Sequence, residues 1–284
     1  MPLPTDNEEQ IRFWSEEAGP QWVAEQALLD QLVGPSGLAA IDRAGLQPGQ
    51  SVLDVGCGTG QTTVEIARRV GADGRVVGLD VSGVMLDAAR QRAKTAAVAA
   101  TFLEADAQVS PLPHRSFDTV FSRFGVMFFS DPRQAFSNFR GALKPDGRIT
   151  FLCWQAVSEN PWVAKPLAAM AEYVPLPEPP PKKAPGEFSF SERERILSVL
   201  SRSGFVDIDL HDLRMPLVLE AELAVTVDFF SHLGPAASLL REAEEGVAEK
   251  AKAALARVLE AHHEQGKLTM DAAIWLVTAC LPQR

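Results

Sequence analysis

"VLDVGCGTGQ", Val52 to Gln61, is the stretch on which the reading of the whole chain turns. An apolar run with strand character meets an acid, Asp54, and glycines then stand at 56, 58 and 60 before a segment with helical patterning. A strand that passes through such a turn into a helix N-terminus offers backbone N–H groups with no Cβ to hold a ligand away. The neighbouring sequence repeats the strand–helix rhythm. "RVVGLD" (75–80), "TFLEA" (101–105), "FDTVFS" (117–122) and "RITFLCW" (148–154) are short apolar runs. Helix-patterned stretches at 62–70, 82–97 and 132–143 separate them, with "LKPDGR" (143–148) as a turn into the fifth strand. Alternation of this kind predicts an α/β chain with a parallel sheet covered by helices on both faces.

Outside that block, residues 8–45 are expected to be helical, 174–190 a proline-rich extended segment, 191–202 a helix and "FVDIDLHDL" (205–213) a strand. Residues 222–264 are expected to be helical and "AAIWLVTACL" (272–281) a closing antiparallel strand. The 284 residues are 46% apolar, enough for a full core. A formal charge of −10 argues against a surface that wraps nucleic acid. Three scattered cysteines, Cys57, Cys153 and Cys280, suggest a reducing compartment. No acid or histidine spacing points to a metal, no run approaches the ~20 apolar residues of a membrane span, and "MPLPTDNEEQ" lacks a secretory pattern. A cytoplasmic protein, without nucleic-acid or membrane partners, is expected.

The glycine spacing separates two ligand classes. A dinucleotide fingerprint reads G-x-G-x-x-G, whereas here the spacing is G-x-G-x-G and Gln61 fills the dinucleotide position. Asp54 would repel a diphosphate and suits a ligand carrying an ammonium group. Asp54-Val55-Gly56-Cys57-Gly58-Thr59-Gly60 resembles motif I of the class I S-adenosylmethionine-dependent methyltransferases, D/E-x-G-x-G-x-G. The resemblance extends over about residues 45–155. Asp80 ends strand two, where an acid accepts from both ribose hydroxyls. Met85 matches the position that packs on adenine, and Asp106 the acid that reads the adenine amino group. The overall look is that of the small-molecule members of ubiquinone/menaquinone-biosynthesis type (methyltransferase type 11).

That resemblance implies a doubly wound, seven-stranded Rossmann-like sheet of order 3-2-1-4-5-7-6 with a helical lid. It divides the chain into an N-terminal helical cap (1–45), a cofactor-binding core (46–154), a lid segment with the proline-rich loop (155–190), a core helix and strand six (191–221), a helical lid insert (222–267) and core strand seven (268–284). It implies S-adenosylmethionine as cofactor, with S-adenosylhomocysteine as product. The expected cofactor residues are Asp54, Gly56, Cys57, Gly58, Gly60, Gln61, Asp80, Val81, Met85, Asp106, Ala107 and Ser122; the bland reading of Cys57 is a small buried side chain. "SRFGVMFF" after strand four lacks the acid-or-Asn, double-proline and aromatic pattern of adenine and glutamine methylases, and no Pro-Cys pair occurs. A small acceptor is therefore expected in a pocket of Trp14, Trp22, Arg123, Phe124, Trp154, Trp162 and Phe229. His232, beside Phe229 and Phe230, is the expected base. A macromolecular (protein or RNA) methyltransferase and a non-methylating S-adenosylmethionine-binding protein are the alternatives, and the chain is expected to act as a monomer or homodimer.

Overall fold

The computed structural model describes residues 7–176, 181 and 184–282. Helices α1 (Glu8–Arg12), α2 (Ala18–Ala24) and α3 (Gln26–Ala44) open the chain, with a π-turn over Phe13–Glu17. The alternating region follows as β1 (Ser51–Val55), α4 (Gln61–Val70), β2 (Arg75–Asp80), α5 (Gly83–Thr95), β3 (Thr101–Glu104), β4 (Phe117–Arg123), α6 (Pro132–Ala142) and β5 (Leu143–Trp154). Next come α7 (Pro161–Met170), α8 (Arg193–Arg202), β6 (Val206–Glu220), α9 (Leu223–His232), α10 (Pro235–Glu242) and α11 (Glu245–Glu260). The hairpin strand β7 (His263–Glu264) and β8 (Lys267–Cys280) end the order of elements.

The strands form a single sheet of order β3-β2-β1-β4-β5-β8-β6, and β7 pairs with β8 off that path. The expected order is thus present, with the long final strand numbered eighth because of the two-residue β7. The pairs β1–β2, β1–β4, β2–β3 and β4–β5 are parallel; β8 runs antiparallel to both β5 and β6. Right-handed crossovers send α4 and α5, which lead leftwards from β1 and β2, to the face opposite α6 and α8, which lead rightwards from β4 and β5. Each helix then buries its apolar stripe on the sheet. Phe151 from β5 meets Phe136 on α6 and Phe190, and Phe136 meets Phe139, in one fully buried cluster.

Local departures from the sequence reading have physical causes. Residues 261–268 are not helical: Gln265 (φ 54°) and Gly266 (φ 77°) make a two-residue hairpin turn, and His263 pairs with Leu268. Two consecutive positive φ values suit the twist of flanking strands. β6 and β8 reach beyond their expected ends because Leu217–Glu220 pair with Lys267–Met270. "LKPDGR" does bend, with Asp146 at φ 63°, but the bend is an irregular start of β5 whose register against β4 shifts between Phe117 and Thr119. Much of the proline-rich run expected to be extended, 177–180 and 182–183, lies outside the described residues.

Candidate active site

The turn after β1 is built before any ligand is considered. Asp54 Oδ2 accepts from the hydroxyls of Thr62 (2.8 Å) and Thr63 (2.6 Å), which ties the strand end to the first turn of α4. Asp54 is fully buried, and burial pushes its carboxyl up to about 6 against the downward pull of those hydroxyls. Gly56 (φ 65°) has a left-handed backbone, and a Cβ there would stand 2.9 Å from the Cα of Gly125. Gly58 (φ 54°) is different: an added Cβ would meet only Met85 Sδ, at 3.9 Å, because the glycine faces a cavity.

That cavity, about 1400 Å³ including its solvent-open part, runs along the carboxyl ends of the parallel strands. Its left half is lined by Gly56 and Gly58 after β1, Asp80 and Val81 at the end of β2, Met85 on α5, and Asp106 and Ala107 after β3. Asp80 Oδ2 accepts from the Gly58 N–H (2.8 Å) and Oδ1 from the Ser82 N–H (3.0 Å). Burial raises its carboxyl while these backbone donors hold it down. Asp106 Oδ1 accepts from the Gln108 N–H at 2.9 Å.

The right half is aromatic. Phe124 follows β4, Trp154 ends β5, and Trp162 on α7 stands 4.9 Å from the Trp154 ring. Phe229 and Phe230 on α9 complete that wall. Trp14 and Trp22 approach edge to face at 5.5 Å, and Trp14 also meets Phe128 at 4.9 Å. These N-terminal rings close the cavity from above the strand ends together with Asn7, Gln10 and Ile11. Arg123 at the end of β4 reaches the cavity and donates to Gln61 Oε1. Burial pulls its guanidinium below the usual range, with Asp30 and Asp54 opposing.

Several residues expected at the ligand stand behind the wall instead. Cys57 is buried with its sulfur beside Gly78, where a Cβ would come within 2.9 Å of it, and burial pushes the thiol well up. Gly60 is tucked against Ala89, Gln61 serves Arg123, and Ser122 Oγ donates to the Val55 carbonyl at 2.8 Å. Asp54 and these four residues do not line the cavity; they fix the strand ends that do. His232 is a correction. Its side chain is 55% exposed, its Nδ1 lies 2.9 Å from the Asp228 carbonyl oxygen and 3.5 Å from Asp228 Oδ2, and it is absent from the cavity wall. Helical geometry explains this: two residues past Phe230 is about 200° around the axis.

Sequence reading missed Glu187, which lines the cavity from the segment before α8, and Asn7 and Gln10. Asn7 Oδ1 and Gln10 Oε1 are buried without a hydrogen-bond partner, on the wall of a cavity that a polar ligand would fill. Bare backbone at Gly58, a carboxylate on either side and two orphaned amide oxygens fit a nucleoside carrying an amino-acid chain. Among the described residues no group of His, Cys, Asp and Glu is arranged to hold a metal. No single helix among them is long and apolar enough to cross a membrane.

Comparison with known proteins gives the same direction. Residues 52–147 match the family model described as a methyltransferase domain. The ubiquinone/menaquinone biosynthesis C-methyltransferase UbiE of Idiomarina loihiensis is 34% identical over 114 residues, 39% of this chain and 45% of that protein. The chain spans about half the length of the curated relatives it matches. A putative methyltransferase of Bacillus halodurans superposes with a TM-score of 0.58 at 17% identity, covering 87% of this chain and 99% of that one. Phosphoethanolamine N-methyltransferase 2 of Haemonchus contortus, solved with S-adenosyl-L-methionine, gives 0.52 at 20% identity over 88% of this chain and 53% of that one. Residues 52–147 therefore match the methyltransferase-domain family, within a chain that has the Rossmann-like methyltransferase fold.

Proposed function

We propose that the whole chain transfers a methyl group from S-adenosylmethionine to a small organic acceptor. One observation carries this: a single cavity joins the polar, glycine-floored half at β1–β3 to the aromatic half at β4 and β5. In this reading Asp80 takes the ribose hydroxyls, Met85 and Asp106 the adenine, and the Gly56–Gly58 backbone the amino-acid end. Asn7 and Gln10 supply amide groups to the same ligand. The sulfonium supplies an activated methyl, so the remaining task of the protein is to align the acceptor and exclude water.

Phe124, Trp154, Trp162 and Phe229 then form the acceptor wall, and aromatic faces favour a cationic centre beside them. Residues 7–33 and 217–234, which reach the cavity from far apart in the chain, act as a lid in this reading. A recessed aromatic pocket suits a small molecule better than a polymer. The test is incubation of the purified protein with methyl-labelled S-adenosylmethionine and an extract of its own host, followed by separation of macromolecules from small solutes. Enzyme-dependent label among the small solutes is expected. Label confined to protein or RNA overturns the small-molecule reading, and no label with tight S-adenosylhomocysteine binding in calorimetry points to a non-methylating role.

A further inference from the structure

Among the described residues four charged side chains line the cavity: Asp80, Asp106, Arg123 and Glu187. The first three have hydrogen-bond partners in the protein. The Glu187 carboxylate has neither a hydrogen bond nor an ion pair among the described residues. Among the described residues no histidine, lysine, cysteine or tyrosine shares that wall.

Glu187 is also held in place. The Gly186 N–H donates to the Met127 carbonyl at 3.1 Å, and Ser189 Oγ donates to the same oxygen at 2.5 Å. Met127 lies in the turn that follows β4. Three residues beyond Glu187, the Phe190 carbonyl accepts from Cys153 Sγ at 3.6 Å, within β5. The backbone on either side of Glu187 is therefore tied to the turn after β4 and to β5, the strands that carry Phe124 and Trp154, while its side chain lines the cavity. An unpaired carboxylate in an apolar setting is costly to keep, and functional sites are where such groups accumulate.

We propose that Glu187 is the general base of the methyl transfer and that the acceptor is a flat, apolar molecule with a weakly acidic hydroxyl, a phenol or an enol; the inference rests on the methyltransferase reading above. The carboxylate takes the hydroxyl proton. The electron pair so released forms the new bond to the methyl carbon, from oxygen or, through the conjugated system, from the adjacent carbon. The methyl–sulfur bond breaks with its pair left on sulfur, the sulfonium becomes a neutral thioether, and Glu187 later gives its proton to water. Burial pushes the Glu187 carboxyl up to about 7. A carboxyl half protonated near neutrality is a poor counter-ion for an ammonium acceptor and a well-matched base for an acidic hydroxyl. Asp80, Asp106 and Arg123 share the cavity, and burial alone accounts for the shift.

The test compares the full chain with Glu187→Gln and Glu187→Asp, using methyl-labelled S-adenosylmethionine and the small-solute fraction of host extract as probe. Glu187→Gln should lower the labelling rate about 10²–10⁴-fold with the calorimetric affinity for S-adenosylhomocysteine unchanged. Glu187→Asp should fall between. The wild-type rate should rise with pH through about 7, and the rise should vanish in Glu187→Gln. Independently of turnover, NMR of protein labelled at glutamate carboxyl carbons should show one carboxyl titrating near neutrality, absent from Glu187→Gln. Wild-type labelling that persists unchanged in Glu187→Gln, or glutamates that all titrate in the ordinary range, overturns the base and leaves the methyltransferase reading standing. Wild-type protein that labels nothing overturns the methyltransferase reading and the base with it.

Discussion

The Phe124 ring lies face to face with the Trp154 indole, centroids 4.3 Å apart and planes 10° from parallel. The stack joins the residue after β4 to the last residue of β5, and it is held on a left-handed backbone, with Phe124 at φ 63°. A residue with a Cβ rarely adopts that conformation. Replacing Phe124 by Ala or by Gly removes the same ring, but only Gly fits the backbone freely. Phe124→Gly should therefore be the more stable of the two by about 1 kcal/mol in denaturant titrations. The reverse order would show that position 124 carries no strain.

Gly56 and Gly58 are both left-handed, yet their substitutions should fail differently. Gly56→Ala drives a methyl to 2.9 Å from the Gly125 Cα, backbone against backbone, and should cost about 2–4 kcal/mol of stability. Gly58→Ala meets only Met85 Sδ at 3.9 Å and should cost about 1 kcal/mol. Its methyl enters the cavity, so S-adenosylhomocysteine affinity should drop more than stability does. Melting curves set against calorimetry for each variant decide the point.

Asp80→Ala removes the acceptor of the Gly58 and Ser82 N–H groups and the carboxylate offered to the ribose. Hydrogen bonds to a charged group contribute about 1.5–3 kcal/mol, so affinity for S-adenosylhomocysteine should fall about 10–100-fold. Circular dichroism should stay unchanged. Undiminished binding would remove Asp80 from the cofactor site.

Glu187 should leave a mark on stability as well as on turnover. Its folded carboxyl is raised from 4.5 to about 7, so between those values the native state holds a proton that the unfolded chain has released. Stability from this group falls as pH rises through that window, and the loss is complete above about 7. Glu187→Gln has no such proton. Its melting temperature should match wild type near pH 4.5 and exceed it increasingly towards pH 7. A difference that stays constant across the series would mean that the carboxylate is well solvated.

What the sequence made legible was whatever is encoded over a short span. Gly56, Gly58, Asp80, Met85 and Asp106 each sit at or just beyond a strand end, and a strand followed by a turn places its next residue on the carboxyl edge of the sheet whatever the rest of the chain does. Phe124 and Trp154 reach the cavity for the same reason. Glu187, Asn7 and Gln10 do not follow from local pattern. They arrive through packing between segments distant in the chain, of which the Gly186–Met127 and Ser189–Met127 bonds, across about sixty residues, are the visible ties. His232 misled because an aromatic neighbour in sequence is not a neighbour on a helix face. The 263–268 hairpin was hidden for a simpler reason: Gln-Gly turns the chain as Asn-Gly does, but is a weaker signal beside a strongly helical stretch.

The placement of β8 sets an order on the life of the nascent chain. Residues 267–280 lie between β5 and β6, and among the described residues β6 has no other partner in the sheet. While the ribosome is still making α9 to α11, β5 therefore carries a bare edge rich in apolar side chains, and β6 cannot join the sheet. Such an edge invites pairing with other chains. Co-translational protection by a chaperone would matter most over that interval, and a chain stopped before residue 267 would keep the glycine turn while remaining prone to aggregate.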